Sequence, residues 1–153
     1  YLGNLNAQRD WGHAKDYVYM QWLMLQQEEP EDFIISTGRM ETVRRFVELS
    51  AAALGWSKDK KSPAILWENT GVNEIGRRAD NLDIVIRVDP RYFRPTEVNQ
   101  LLGDSTKAFK KLGWKNKTSL EELIYEMIEV DKIEAKKESL LKRKGFEINK
   151  PSE

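Results

Sequence analysis

The spacing of apolar and polar residues divides the chain into alternating extended and helical runs. Tyr1 to Leu5 alternates loosely and reads as a short strand, after which Asn6-Ala7-Gln8 turns the chain into Arg9-Asp10-Trp11-Gly12-His13. From Ala14 the period becomes helical, with Tyr17, Val18, Leu23, Met24 and Leu25 covering much of the circumference until Glu28-Glu29-Pro30 closes the run. Apolar positions on so many sides predict a helix buried on more than one, its Met and Trp side chains serving as core. Asp32 to Gly38 is a short apolar run ended by glycine, which predicts a strand buried on both faces of a parallel sheet. Thr42 is placed to cap a helix through Val43, Phe46, Val47 and Leu54, with Gly55 just past its end.

Beyond a lysine-rich connection from Trp56 to Ser62, Ala64 to Glu68 reads as a strand. Asn69 to Leu82 is polar, holds Gly71, Gly76 and the pair Arg77-Arg78, and is expected to be a mobile loop. Asp83 to Asp89 is the most β-branched run in the chain and predicts a further strand. It leads into Pro90-Arg91-Tyr92-Phe93-Arg94-Pro95-Thr96-Glu97, a proline-fixed turn carrying two arginines and a carboxylate. Asp104 is expected to cap a short helix through Lys107, Ala108, Phe109 and Leu112, stopped by Gly113. Ser119 with Glu122 forms a capping box for a last helix running to about Leu141. Strand, turn and helix in this succession predict an α/β fold.

Composition narrows the chemistry. Lysine plus arginine and aspartate plus glutamate both number 25, so the net charge is zero and any anion site must be local. That balance argues against nucleic acid as a partner, and the lysines from Lys136 to Lys144 read as an exposed helical face. The lack of cysteine excludes a thiolate zinc site and a cysteine nucleophile, and a single histidine, His13, argues against a histidine-rich metal centre. The lack of cysteine fits a reducing cytoplasm, which is the expected location, and no apolar run approaches the roughly 18 residues of a membrane span. The opening Tyr1-Leu2-Gly3-Asn4-Leu5 reads as the inside of a strand, so a fragment of a longer protein is expected.

No G-x-G-x-x-G or G-x-x-x-x-G-K-[ST] loop occurs, no tyrosine is followed four residues on by lysine, and there is no G-x-S-x-G elbow. What remains is a set of donors. Arg9 follows the first predicted strand, and Arg94 with Glu97 leaves the proline turn. A guanidinium grips a phosphate bidentately and a carboxylate accepts from paired hydroxyls, so Arg94 and Glu97 suit a sugar nucleotide; the same charges also suit an ordinary solvated surface.

The motifs themselves are similar to a known family. Leu2-Gly3-Asn4-Leu5, Arg9-Asp10-Trp11-Gly12-His13-Ala14-Lys15-Asp16-Tyr17-Val18, Tyr92-Phe93-Arg94-Pro95-Thr96-Glu97-Val98 and Leu102-Gly103-Asp104-Ser105-Thr106-Lys107-Ala108 resemble the GDP-mannose 4,6-dehydratases of the extended short-chain dehydrogenase/reductase class. R-D-W alone is shared across that class; the two long stretches in order are more specific. The resemblance implies a partial fold of that type, the C-terminal strands and helices of a Rossmann-type region over residues 1–55 and a sugar-nucleotide-binding region over residues 56–153. It implies NADP and a GDP-sugar as the cofactor and substrate of the complete enzyme, with the cofactor loop and the tyrosine-lysine pair upstream of the matched part.

By position in the motifs, Arg9 and Arg94 would bind the diphosphate and Glu97 the ribose hydroxyls, with no catalytic, cofactor-binding or metal-binding residue in this chain. Trp11, Asp16, Asp104 and His13 read as structural: a core aromatic, a residue that fixes a loop, a helix cap and a histidine outside the chemistry. A segment of a larger fold leaves sheet edges and apolar surface uncovered, so a homo-oligomer is expected. A sibling epimerase or reductase, or a non-catalytic interaction module, stands as the alternative.

Overall fold

The computed structural model describes residues 1–59, 61–94 and 102–146. Its elements run in the order β1 (Gln8–Arg9), α1 (Ala14–Leu25), β2 (Glu41–Thr42), α2 (Val43–Ala53), β3 (Ile65–Glu68), a 3-10 turn (Gly71–Asn73), β4 (Ile75–Arg78), β5 (Ile84–Arg87), α3 (Thr106–Leu112) and α4 (Leu120–Arg143). β1 and β2 form a two-stranded antiparallel ladder, and β3-β4-β5 a three-stranded antiparallel sheet.

The helices begin and end where side chains satisfy the backbone groups that a helix leaves open. Thr42 accepts from the Arg45 N–H at 3.0 Å, and the chain leaves α2 through Gly55 at φ 78°. Ser119 and Glu122 make the full capping box of α4. Asp104 accepts from the Thr106 N–H at 2.9 Å, and Gly113 closes α3 at φ 65°.

Two apolar clusters hold these pieces together. One joins Ala51 of α2 to Ala64, Ile65 and Ile86 of the sheet, with Val47, Trp56 and Trp67 packed around it. The other sets Met20 of α1 against Ala108 and Trp114, with Phe33, Ile35 and Leu112 alongside.

Four expectations are corrected. Tyr1 to Leu5 is not a strand: only Leu2 bridges, in parallel, to Val88, and the first ladder residues are Gln8 and Arg9. Asp32 to Gly38 is not a strand either, because side chains take its backbone groups. Lys107 donates to the Asp32 carbonyl at 2.8 Å, and the Asp10 carboxylate accepts from the N–H groups of Thr37 and Gly38.

The stretch from Asn69 to Leu82 is no loose loop, since it holds β4, the central strand of the sheet. Gly76 makes that possible: a Cβ there would lie 2.9 Å from the Trp67 ring and 3.0 Å from both Ile65 and Ile86. Arg77 pairs with Glu68 at 2.8 Å, and Arg78 lies over Trp56 while pairing with Asp80. Finally, α1 is buried on one face only. Met20 is inaccessible, but Val18, Trp22 and Leu25 stand exposed, Trp22 stacked on Tyr19 of the same helix at 5.9 Å.

Candidate functional site

The R-D-W stretch is built as a rigid corner. Arg9 pairs in register with Glu41 across the β1–β2 ladder, is exposed, and donates from one guanidinium nitrogen to the Gln8 carbonyl at 2.7 Å. Asp10 turns inward and receives three bonds of 3.0 Å from two successive backbone amides, those of Thr37 and Gly38. Trp11 donates to the Glu41 carbonyl at 3.3 Å and packs on Phe46 with ring centroids 4.6 Å apart.

His13 stands at a helix end: its Nδ1 accepts from the Lys15 N–H at 2.9 Å and so caps α1, while Nε2 sits 3.3 Å from Glu126 of α4. Asp16 does what the sequence suggested. It is buried, and one carboxylate oxygen accepts from the N–H groups of Lys117 and Thr118 at 3.0 and 2.9 Å. Burial raises its pKa, but the bonds from Thr118 and Lys117, together with nearby His13, outweigh burial and hold the carboxyl below the usual range.

The second motif leaves the sheet through an equally fixed turn. Buried Asp89 accepts from the backbone N–H of Arg91 at 2.9 Å and from its guanidinium at 3.0 and 2.8 Å. The Arg91 guanidinium and its amide hold the Asp89 carboxyl below the ordinary carboxylate range. Tyr92 and Phe93 both donate to the Asp89 carbonyl, which tightens the turn.

The N-terminal segment stitches this turn in place. Leu2 donates to Arg87 at 3.0 Å and accepts from Asp89 at 2.8 Å, while a Cβ on Gly3 would lie 2.3 Å from the Tyr92 carbonyl oxygen. Only glycine fits so close a backbone approach. Arg94 emerges exposed two residues further on. Glu97 lies outside the described residues. Thus Arg9 and Arg94 stand on different pieces of scaffold, the ladder and the sheet exit, and Leu2-Gly3 is the segment that ties the sheet exit to the chain entering the ladder.

Hollows of different character lie around these pieces. A cavity of about 30 Å³ lined by Trp11, Thr37, Glu41 and Ser119 holds no more than a water molecule. A cleft of about 370 Å³, lined by Glu74, Arg87, Asp89 and Pro90 among others, opens at the second turn. A groove of about 420 Å³ between α2 and β5 is apolar, walled by Trp11, Phe46, Val47 and Trp56, and suits no diphosphate.

Sequence reasoning missed the residues that brace the site. Arg44, at the start of α2, grips buried Glu74 through two bonds of 2.6 and 3.0 Å, donates to the Asn6 side chain at 3.2 Å and lies 4.6 Å over the Trp67 ring. Its signal was hidden because Glu74 fell in the stretch read as a loop. Asp10 was visible inside R-D-W, but which amides it would hold depended on residues 27 positions away.

A family model for GDP-mannose 4,6 dehydratase matches residues 1–127. The chain is 49% identical over 152 residues to a GDP-mannose 4,6-dehydratase of Yersinia enterocolitica, covering 97% of this chain and 41% of that protein. It is 50% identical over 130 residues to the human GDP-mannose 4,6 dehydratase, covering 85% of this chain and 33% of that one. Among solved structures, UDP-glucose 4-epimerase with UDP-glucose from Thermotoga maritima superposes with a TM-score of 0.59 at 25% identity, over 88% of this chain and 35% of the epimerase. The chain thus spans about two fifths of the length of the relatives it matches, and its mixed α/β architecture is a partial short-chain dehydrogenase/reductase fold. With that match running unbroken through both motif-bearing corners, the chain belongs to the GDP-mannose 4,6-dehydratase family.

Proposed function

We propose that this chain supplies the sugar-nucleotide grip of a GDP-mannose 4,6-dehydratase, with Arg9 and Arg94 on the diphosphate and Glu97 on the ribose hydroxyls. The observation that carries the reading is the parallel construction of the two corners. In each, a carboxylate turned inward, Asp10 or Asp89, fixes the backbone, and an exposed arginine follows or precedes it at the rim. Fixed backbone spares the ordering cost that binding would otherwise incur, and guanidinium groups meet phosphate oxygens in a bidentate fork. On this reading residues 1–55 continue a Rossmann-type region and residues 56–153 form the substrate region.

The complete enzyme would convert GDP-mannose to GDP-4-keto-6-deoxymannose by oxidation at C4, loss of water across C5 and C6, and reduction at C6. NADP would supply the reversible hydride acceptance. The described residues offer no glycine-rich turn between a strand and a helix for it, and Gly38, Gly55, Gly71, Gly113 and Gly145 each serve a local positive-φ turn. No chemical step is therefore assigned to residues of this chain, which is expected to bind without turnover, in a soluble cytoplasmic enzyme.

Titration calorimetry tests the grip. Saturable heat from GDP and GDP-mannose, and none from UDP-glucose, is expected; heat from UDP-glucose would favour a sibling epimerase, and silence with all three would reject the reading. Arg94→Ala should remove a charge-assisted contact of about 1.5–3 kcal/mol, raising the dissociation constant for GDP-mannose about tenfold or more. Gly3→Ala should weaken the same binding without touching ligand, because the added Cβ forces the Tyr92 carbonyl and the turn before Arg94 to shift. Unchanged affinity in Arg94→Ala would remove that residue from the site.

A further inference from the structure

α4 divides its charge at its midpoint. From Leu120 to Asp131 it carries Glu121, Glu122, Glu126, Glu129 and Asp131 and no base, and from Lys132 to Arg143 it carries Lys132, Lys136, Lys137, Lys142 and Arg143 against Glu134 and Glu138. The helix dipole accounts for the acids of the first turn and the bases of the last, since its influence fades within a turn of each end. It does not account for Glu126, Glu129, Lys136 and Lys137. In-chain pairs absorb part of this charge: Glu129 with Lys132 at 2.9 Å, Glu134 with Lys137 at 3.4 Å, and Glu126 with Lys15 at 2.7 Å.

The helix also has two apolar stripes. Leu120 and Ile124 are buried in the chain's own core. On another flank Val130, Ile133 and Leu140 are 57%, 64% and 58% exposed. With half-buried Leu123, they recur at alternating three- and four-residue steps through Glu126 and Lys137, which is the heptad spacing of a helix seam.

We propose that α4 pairs antiparallel with α4 of a second copy of this chain, about a two-fold axis at the helix midpoint. That register sets Val130 against the second copy's Ile133, Leu123 against its Leu140 and Glu126 against its Lys137. Along one margin, Glu129 meets the second copy's Lys136 and Glu122 its Arg143. Each of these contacts between the two copies of α4 joins opposite signs, and two-fold symmetry makes each contact twice. A parallel pair would instead lay the acidic half on the acidic half. Glu126 facing Lys137 inside an otherwise apolar seam fixes register, as single polar seam positions do.

Disulfide trapping tests the arrangement directly, because the chain has no cysteine of its own. An equimolar mixture of Glu126→Cys and Lys137→Cys chains should cross-link under mild oxidation. Each variant alone should not, since like positions stand 11 residues, about 16 Å, apart along the antiparallel pair. Cross-linking of Lys137→Cys alone to the same extent, or none in the mixture, overturns the proposal.

Sedimentation provides a second reading. Glu129→Lys should raise the dimer dissociation constant at least about tenfold by placing like charges opposite one another, and adding Lys136→Glu to it should restore association. Helix content by circular dichroism should be equal in both variants. A single variant that associates normally, or a double variant that stays apart with its helix intact, overturns the pairing.

Discussion

Replacing Arg44 by alanine is expected to destabilise the chain by about 3–5 kcal/mol, because it strands a buried carboxylate. Glu74 is 8% exposed and receives both of its charged bonds from the Arg44 guanidinium. Removing the partner leaves a largely buried negative charge without the guanidinium that holds it. For a chain of this size each kcal/mol is worth about 2–4 °C in melting temperature, so the midpoint should fall by about 6–20 °C.

The converse change should cost less. In Glu74→Ala the Arg44 side chain, 25% exposed, can turn to water while keeping Asn6 and the Trp67 face. The double variant should then recover part of the loss, because the stranded charge is gone. Urea denaturation followed by tryptophan fluorescence reads all three. A cost for Arg44→Ala below that for Glu74→Ala would mean that Glu74 is reached by water and that the pair does not brace α2 against the sheet.

That pair also shows why part of the fold was legible in the sequence and part was not. Features governed by neighbours in sequence could be read: the Thr42 cap, the Ser119–Glu122 box, the glycines after α2 and α3, the apolar strand β3 and the β-branched strand β5. Each depends on local backbone groups within a few residues. β4 could not be read, because its Ile-Gly-Arg-Arg run shows no alternation, and what holds it is Gly76 admitting Trp67 and arginines laid along neighbouring side chains. The Asp32–Gly38 run failed in the opposite sense. Its apolar side chains fit a strand, but Lys107 and Asp10, distant in sequence, satisfy its backbone without a ladder.

The candidate site divides along the same line. Arg9 and Arg94 were read as donors from the sequence, and only the resemblance assigned them to a diphosphate; the structure adds that both leave braced corners. The braces, Asp10 and Asp89, are short carboxylates whose roles depend on where a backbone amide arrives. Asp89 could have been suspected, since an aspartate two residues before another N–H commonly closes an Asx turn. Asp10 could not, because its amides belong to Thr37 and Gly38. Asp16 shows the same distance dependence and offers the sharpest test of it.

Asp16→Ala should destabilise the chain by about 2–4 kcal/mol, the cost of leaving two amides without an acceptor in a closed site. Lys117 and Thr118 both donate to the same carboxylate oxygen, and the Asp16 carbonyl receives the indole N–H of buried Trp114 at 2.9 Å. One residue of α1 thus fixes both the wall of the apolar cluster and the loop that delivers Ser119 to the start of α4. Asp16→Asn separates charge from geometry. Its amide oxygen can occupy the accepting position and keep both bonds, so it should cost about half as much.

The pH dependence supplies the sign. The folded carboxyl titrates below its unfolded value of about 3.9, so its contribution is complete above that value and is lost as pH falls through the folded pKa. The stability difference between the parent chain and Asp16→Asn should therefore be constant above about pH 5 and shrink toward zero in stronger acid. Glu31, Asp59, Asp80, Asp89, Asp104 and Glu126 are held low as well, and their shared loss in acid cancels in that difference. A difference that grew on acidification would mean that the buried carboxylate is held against its preference. Asp16 would then be a strained residue, and the hydrogen bonds from Lys117 and Thr118 would be too weak to outweigh burial.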